Sequence, residues 1–77
     1  GNSFADTWSS GKNIYIRYSS TNMQHAVISI FNMLGQKIIN AQQTVSGTSC
    51  YPIEKPGSYI VHVTDGNTIF QKKVILF

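Results

Sequence analysis

The run Ser58-Tyr59-Ile60-Val61-His62-Val63-Thr64 constrains the fold of this chain more than any other segment. In an extended strand, Tyr59, Val61 and Val63 fall on one face and Ile60, His62 and Thr64 on the other. Pro56-Gly57 precedes the run and Asp65-Gly66-Asn67 follows it. Pro then Gly fits the two central positions of a type II corner. Asp-Gly is a hairpin signal, because both residues accept the positive φ of a type I′ turn. A period of two between two turn signals specifies a strand whose neighbour returns beside it.

The rest of the chain repeats this grammar. Lys12 to Ser19 alternates, with Ile14, Ile16 and Tyr18 on one face and Tyr15 and Arg17 on the other. A polar loop, Ser19 to Gln24, follows. His25 to Asn32 reads as a central strand, because Ala26, Ile28 and Ile30 alternate with the largely apolar Val27, Ser29 and Phe31. Met33-Leu34-Gly35-Gln36 turns the chain, with Gly35 supplying a positive φ. Lys37 to Gln43 returns, with Ile39 and Ala41 on one face and Ile38 on the other. Val45-Ser46-Gly47 is a turn, and Thr48 to Ile53 a short strand that Pro52 either confines to a sheet edge or ends. Thr68 to Phe77 runs back from the Asp-Gly hairpin. Phe70, Val74 and Leu76 share a face in a regular strand, and Lys72 on that same face predicts a bulge.

No segment carries helical spacing. About seven short strands, with turns every 8 to 12 residues or so, predict an all-β, immunoglobulin-like antiparallel β-sandwich. Residues 1–11, small and polar apart from Phe4 and Trp8, read as a linker or tail, leaving residues 12–77 as one domain.

At 77 residues the domain is small, and such a chain buries only about 60% of its unfolded surface. The single cysteine, Cys50, excludes an internal disulfide. The core must therefore stabilise the fold, and Cys50 reads as a small apolar filler within it. Charged residues make up 12% of the chain, about half the usual ~25%, a surface of the exported type. The net charge is +3 and the cations are scattered except for Lys72-Lys73. This is too dilute for a nucleic-acid surface. No apolar run approaches the ~20 residues of a membrane helix. The first residues lack a signal-peptide pattern, so an exported domain would take its signal from a longer precursor.

The chemistry of catalysis is thin. His25 and His62 are the only histidines, and His62 reads as a sheet residue. Asp6, Glu54 and Asp65 fall in the tail, a corner and a hairpin, where turn chemistry and solvation account for them. Cys50 has no base to activate it. Gly35, Gly47, Gly57 and Gly66 stand at separate turns and form no phosphate cradle. The residues point to no catalytic site, no cofactor and no metal.

Three segments stand in a fixed order: Ile28-Ser29-Ile30-Phe31-Asn32-Met33-Leu34-Gly35-Gln36-Lys37-Ile38, then Lys55-Pro56-Gly57-Ser58-Tyr59-Ile60-Val61-His62-Val63, then Asn67 to Phe77. Together they resemble the type A C-terminal sorting domains of the type IX secretion system. The resemblance covers roughly residues 12–77 and rests most on the Pro-Gly-x-Tyr strand. It implies a non-catalytic secretion signal that enters the periplasm with a cargo protein on its N-terminal side. A translocon would recognise the folded domain and pass it across the outer membrane. A sortase-like peptidase would remove the domain near its linker, leaving the cargo at the cell surface or released.

On this reading Lys72, Lys73, Val74, Ile75, Leu76 and Phe77 form the strand that the translocon recognises. Gly35, Pro56, Gly57, Tyr59, Val61, Val63, Asp65 and Gly66 hold the fold. An open terminal edge suits strand addition by a partner and also a homodimer by strand exchange. The competing reading is an immunoglobulin-like or fibronectin-like accessory module that binds carbohydrate or protein, with Trp8, Tyr15 and Tyr18 as a stacking platform. Tyr15 and Tyr18 fall on opposite faces of a regular strand, which counts against that platform.

Overall fold

The computed structural model describes residues 5–19, 26–43, 46–66 and 68–77. Phe4, the loop of residues 20–24, His25, Val45 and Asn67, all read above, lie outside the described residues. Those described form seven strands: β1 (Ala5–Ser10), β2 (Asn13–Tyr18), β3 (Ala26–Asn32), β4 (Lys37–Gln43), β5 (Gly47–Pro52), β6 (Gly57–Asp65) and β7 (Thr68–Leu76). One sheet has the order β1-β2-β5 and the other β4-β3-β6-β7. All the pairings are antiparallel. The chain crosses between the sheets after β2, β4 and β5, making the expected all-β sandwich.

The alternation read from the sequence selects the core. Ile14, Ile16 and Tyr18 of β2 meet Ala26, Ile28 and Ile30 of β3 and Tyr59, Val61 and Val63 of β6, all buried. Val74, Leu76, Ile53 and Ala5 complete the cluster. Each fully buried Ile or Val contributes roughly 1.5–3 kcal/mol relative to an exposed one.

Residues 5–10, expected as a tail, instead form β1, paired with β2 from Ala5↔Tyr18 to Ser10↔Asn13. The inward residues of β1 are Ala5, Thr7 and Ser9. They are small or polar, so the segment shows no apolar alternation. They suit an edge where the two sheets close upon each other.

Three further expectations give way to packing. Cys50 is exposed on the outer face of β5, not a core filler, because Ser49 and Tyr51 take the inward positions. No bulge interrupts β7, which pairs with β6 in unbroken register from Gly57↔Leu76 to Asp65↔Thr68. Lys72 therefore stays on the inward face and escapes sideways past the edge. Gly57 has φ +140°, more extended than the roughly +80° of a type II turn, because it already pairs with Leu76.

Two tyrosines lock the sandwich. The Tyr59 hydroxyl donates to the Lys55 carbonyl at 2.6 Å. This ties the corner before β6 to the strand, as in the tyrosine corner of immunoglobulin-like sandwiches. The Tyr18 hydroxyl donates to Asp65 Oδ2 at 2.9 Å, a buried bond from one sheet to the other. Asp65 Oδ1 is buried and has no partner among the described residues. Tyr18→Phe removes that donor and leaves a buried carboxylate oxygen bare, a loss of about 1–3 kcal/mol. Tyr59→Phe removes a bond to a neutral carbonyl, a loss of about 1 kcal/mol. Thermal melts should rank the melting temperatures wild type, then Tyr59→Phe, then Tyr18→Phe, with about 4–8 °C per kcal/mol. Equal melting temperatures for Tyr18→Phe and wild type would remove the Asp65 tie from this account.

Candidate functional site

The sandwich has two flanks where the edges of its sheets approach. On one, β1 faces β7. Ser9 Oγ donates to the Ile75 carbonyl at 2.7 Å. Lys72 Nζ donates to the Thr7 carbonyl at 3.3 Å and lies 3.5 Å from Asp6 Oδ1. Asp6 Oδ1 also accepts the Thr7 N–H at 2.8 Å. The edge groups of Thr7 and Ile75 are thus satisfied by side chains. A sheet edge without such cover is a template for another strand.

On the other flank, β4 faces β5, and Gln43 stitches them at one end. Gln43 Nε2 donates to the Gly47 carbonyl at 3.2 Å, and Ser49 Oγ to Gln43 Oε1 at 2.6 Å. Towards the opposite end the sheets part, leaving a cleft of about 450 Å³. Ile38, Ile39, Pro52, Ile53 and Tyr59 give it an apolar wall, and Glu54 and Lys55 stand at its mouth. Ile38 and Ile39 both reach it because of a bulge: Ile30 pairs with Ile39 and Phe31 with Lys37, so Ile38 has no partner. A bulge re-aims a side chain in this way.

Asn32, a residue the sequence reading passed over, builds the rim of this cleft. Its Oδ1 accepts the N–H groups of Leu34 and Gln36, each at 3.0 Å. Its Nδ2 donates to Gln36 Oε1 at 2.7 Å. Asn at the head of a turn was the available signal. Gly35 completes the turn at φ +84°, a conformation that a side chain would strain. Met33 and Leu34 project from its tip, Leu34 with 85% of its surface exposed.

The residues expected to form a recognition strand divide into separate settings. Val74 and Leu76 are buried. Lys72 is engaged with β1. Lys73 lies on the outer face opposite Ile60. Ile75 and Phe77 are exposed. Of the residues expected to hold the fold, Tyr59, Val61, Val63 and Asp65 point into the core. Gly35, Pro56 and Gly57 sit at the cleft end of the sandwich. Gly66, at φ +60°, turns the hairpin at the far end. Asp65 pairs with Thr68, so Asp65 belongs to the strand. Its parity with Tyr59, Val61 and Val63 already placed it inward.

The aromatic platform is split. Trp8 and Tyr15 stack on the outer face of the three-stranded sheet, with centroids 5.9 Å apart and planes within 10°. Tyr18 is in the core. His62 lies half-buried on the outer face between Ser29 and Gln71. Among the described residues no three potential metal ligands gather.

The family model for the secretion system C-terminal sorting domain matches residues 10–76, and the chain belongs to that family. It is a type IX secretion sorting domain, of a kind exported to the outer membrane, the cell surface or the extracellular space through contact with the secretion machinery. No curated protein sequence matches the chain.

The Asp6 carboxyl is held below the ordinary aspartate value of 3.8. The main cause is the Thr7 N–H. Burial acts in the opposite direction, and the Lys72 ammonium, with Arg17 beyond it, adds to the lowering. A lowered folded value means that the stabilisation is complete above the ordinary value and fades as pH falls through the lowered one. Asp6→Asn should flatten the fall in melting temperature between about pH 5 and pH 2 relative to wild type. Parallel curves for the two proteins would remove Asp6 from the acid dependence of stability.

Proposed function

We propose that this domain is a non-catalytic signal that the type IX translocon reads in the periplasm, in folded form, on a cargo protein attached to its N-terminal side. The observation that carries the proposal is the family match over residues 10–76. It spans β2 to β7, six of the seven strands, which supports a folded signal over a short peptide. A sortase-like peptidase then removes the domain, and the cargo is attached at the cell surface. The chain acts through shape and strand edges, and two of its three acids serve structural ends: Asp6 in an edge stitch and Asp65 in an inter-sheet bond.

Within this reading, Lys72 to Phe77 is the strand that the translocon engages. Val74 and Leu76 pack inward; Lys72, Lys73, Ile75 and Phe77 are exposed, with Lys72 engaged by β1. A homodimer by exchange of β7 would use the same strand.

A signal-peptide–reporter fusion to this domain, expressed in a type IX-competent strain and in a translocon-null strain, tests the proposal. Reporter should reach the surface or medium only in the competent strain. Deleting residues 72–77 should abolish export, but it also removes the buried Val74 and Leu76. The variant Lys73→Glu with Ile75→Ser leaves the core intact, and it should reduce export about tenfold with an unchanged melting temperature. Normal export of that variant would move recognition off the terminal strand. Retention of the folded wild-type fusion in both strains would defeat the signal reading itself.

A further inference from the structure

We infer that the cleft end of the sandwich docks on an anionic lipid bilayer, with Met33 and Leu34 entering its interface and lysines standing over the headgroups. The inference goes beyond the sorting reading, which concerns protein contacts, and does not depend on it.

The charges of the chain are sorted by end. Lys12 lies in the turn that joins β1 to β2. Lys37 begins β4 opposite Phe31, and Lys55 stands at the corner before β6. Lys73 follows on β7, opposite Ile60. Glu54 is the one acid beside them, so this end carries three net positive charges. Arg17, Lys72, Asp6 and Asp65 lie towards the middle and the other end, two of each sign, and cancel. The whole net charge of +3 thus belongs to the cleft end. All four of its lysines are exposed, and among the described residues none of them is in an ion pair.

These lysines come from four separate elements of both sheets and do not converge on one point. That layout matches an extended anionic surface, not a single phosphate or carboxylate. Lys73, set back furthest, stands about 10 Å along β7 from Leu76, which is about one Debye length at physiological salt.

Beside the lysines stands an apolar tip. Leu34 is 85% exposed and Met33 59%, with Ile38 and Ile75 exposed behind them. The backbone of this tip is already satisfied. Asn32 accepts the N–H groups of Leu34 and Gln36 through Oδ1 and that of Gly35 through its carbonyl, each at 3.0 Å. Unpaired backbone groups keep an ordinary loop out of lipid, and here three consecutive N–H groups need no water. An acidic protein would suit the lysines equally, but it gives no reason for a protruding apolar tip that supplies its own hydrogen bonds. Binding at a lipid interface grows with buried apolar area and with attraction to anionic headgroups, and this end offers both.

Flotation of the full chain with vesicles of equal parts phosphatidylglycerol and phosphatidylcholine, and with vesicles of phosphatidylcholine alone, tests the inference without any secretion component. The chain should float with the anionic vesicles only, and less as salt rises. Leu34→Ser should lower the partition coefficient about fivefold, and Lys55→Gln should do the same, both with unchanged melting temperatures. Arg17→Gln, an equal loss of charge in the other half, should partition as wild type. In a Trp8→Phe background, the emission of Leu34→Trp should shift to the blue on anionic vesicles. Failure to float with anionic vesicles would overturn the inference, as would equal binding to both kinds. Equal losses for Arg17→Gln and Lys55→Gln would also overturn it, because the attraction would then belong to no particular end. Binding to polyglutamate as strong as to anionic vesicles, and indifferent to Leu34→Ser, would make an acidic protein the occupant and overturn it too. A negative export assay would leave a positive flotation result standing, and a negative flotation result would leave the export reading standing.

Discussion

A strand can bury only every second side chain, and in a two-layer sandwich those side chains must fill the single space between the sheets. This limit governs the structure, because no disulfide supplements the core. The largest inward side chains are Ile, Val, Leu and Tyr. Two inward positions on the four-stranded sheet carry ionisable side chains, Asp65 on β6 and Lys72 on β7, and neither strand breaks register to expel them. Each is met from the opposite sheet instead, Asp65 by the Tyr18 hydroxyl and Lys72 by Asp6 and the Thr7 carbonyl. The polar exceptions thus become ties between the layers.

The ties differ in their surroundings. The Tyr18–Asp65 bond is buried, where a carboxylate without a donor is expensive. It therefore fixes how the two sheets are set against each other at that end. The Lys72–Asp6 pair is about half exposed, and exposed pairs contribute little to stability. Its effect is local: it occupies backbone groups that would otherwise attract another strand. One tie specifies the fold and the other guards an edge.

β2, β3 and β6 were legible in the sequence because their inward residues are mostly large and apolar, as with Ile14, Ile16 and Tyr18. β5, with Ser49 and Tyr51 inward, was found as a strand but read with the wrong face. β1 was not legible, since Ala5, Thr7 and Ser9 give no alternating signal, and its contact with β7 joins residues more than sixty apart in the chain. The inward position of Asp65 could have been counted from Tyr59, but the Asp-Gly turn signal drew it into the loop. The bulge expected at Lys72 treated a lysine on the core face as forbidden; at an edge its stem can lie over the core while the ammonium reaches out. At the candidate site, the Pro-Gly-x-Tyr motif was visible, and the Tyr59–Lys55 bond explains it. The cleft was not visible, because it arises where β4 and β5 diverge, and those strands do not pair.

The direction of β1 has a mechanical consequence. It runs from Ala5, beside Tyr18 and Asp65, towards Ser10 at the end that holds the cleft and the Asn32 turn. A pull between Ala5 and that end acts along the strands. The β1–β2 hydrogen bonds and the Ser9 and Lys72 contacts to β7 then bear the load together, in shear, instead of parting one after another as in peeling. A domain gripped at its cleft end while a passenger drags on Ala5 would hold its shape under tension.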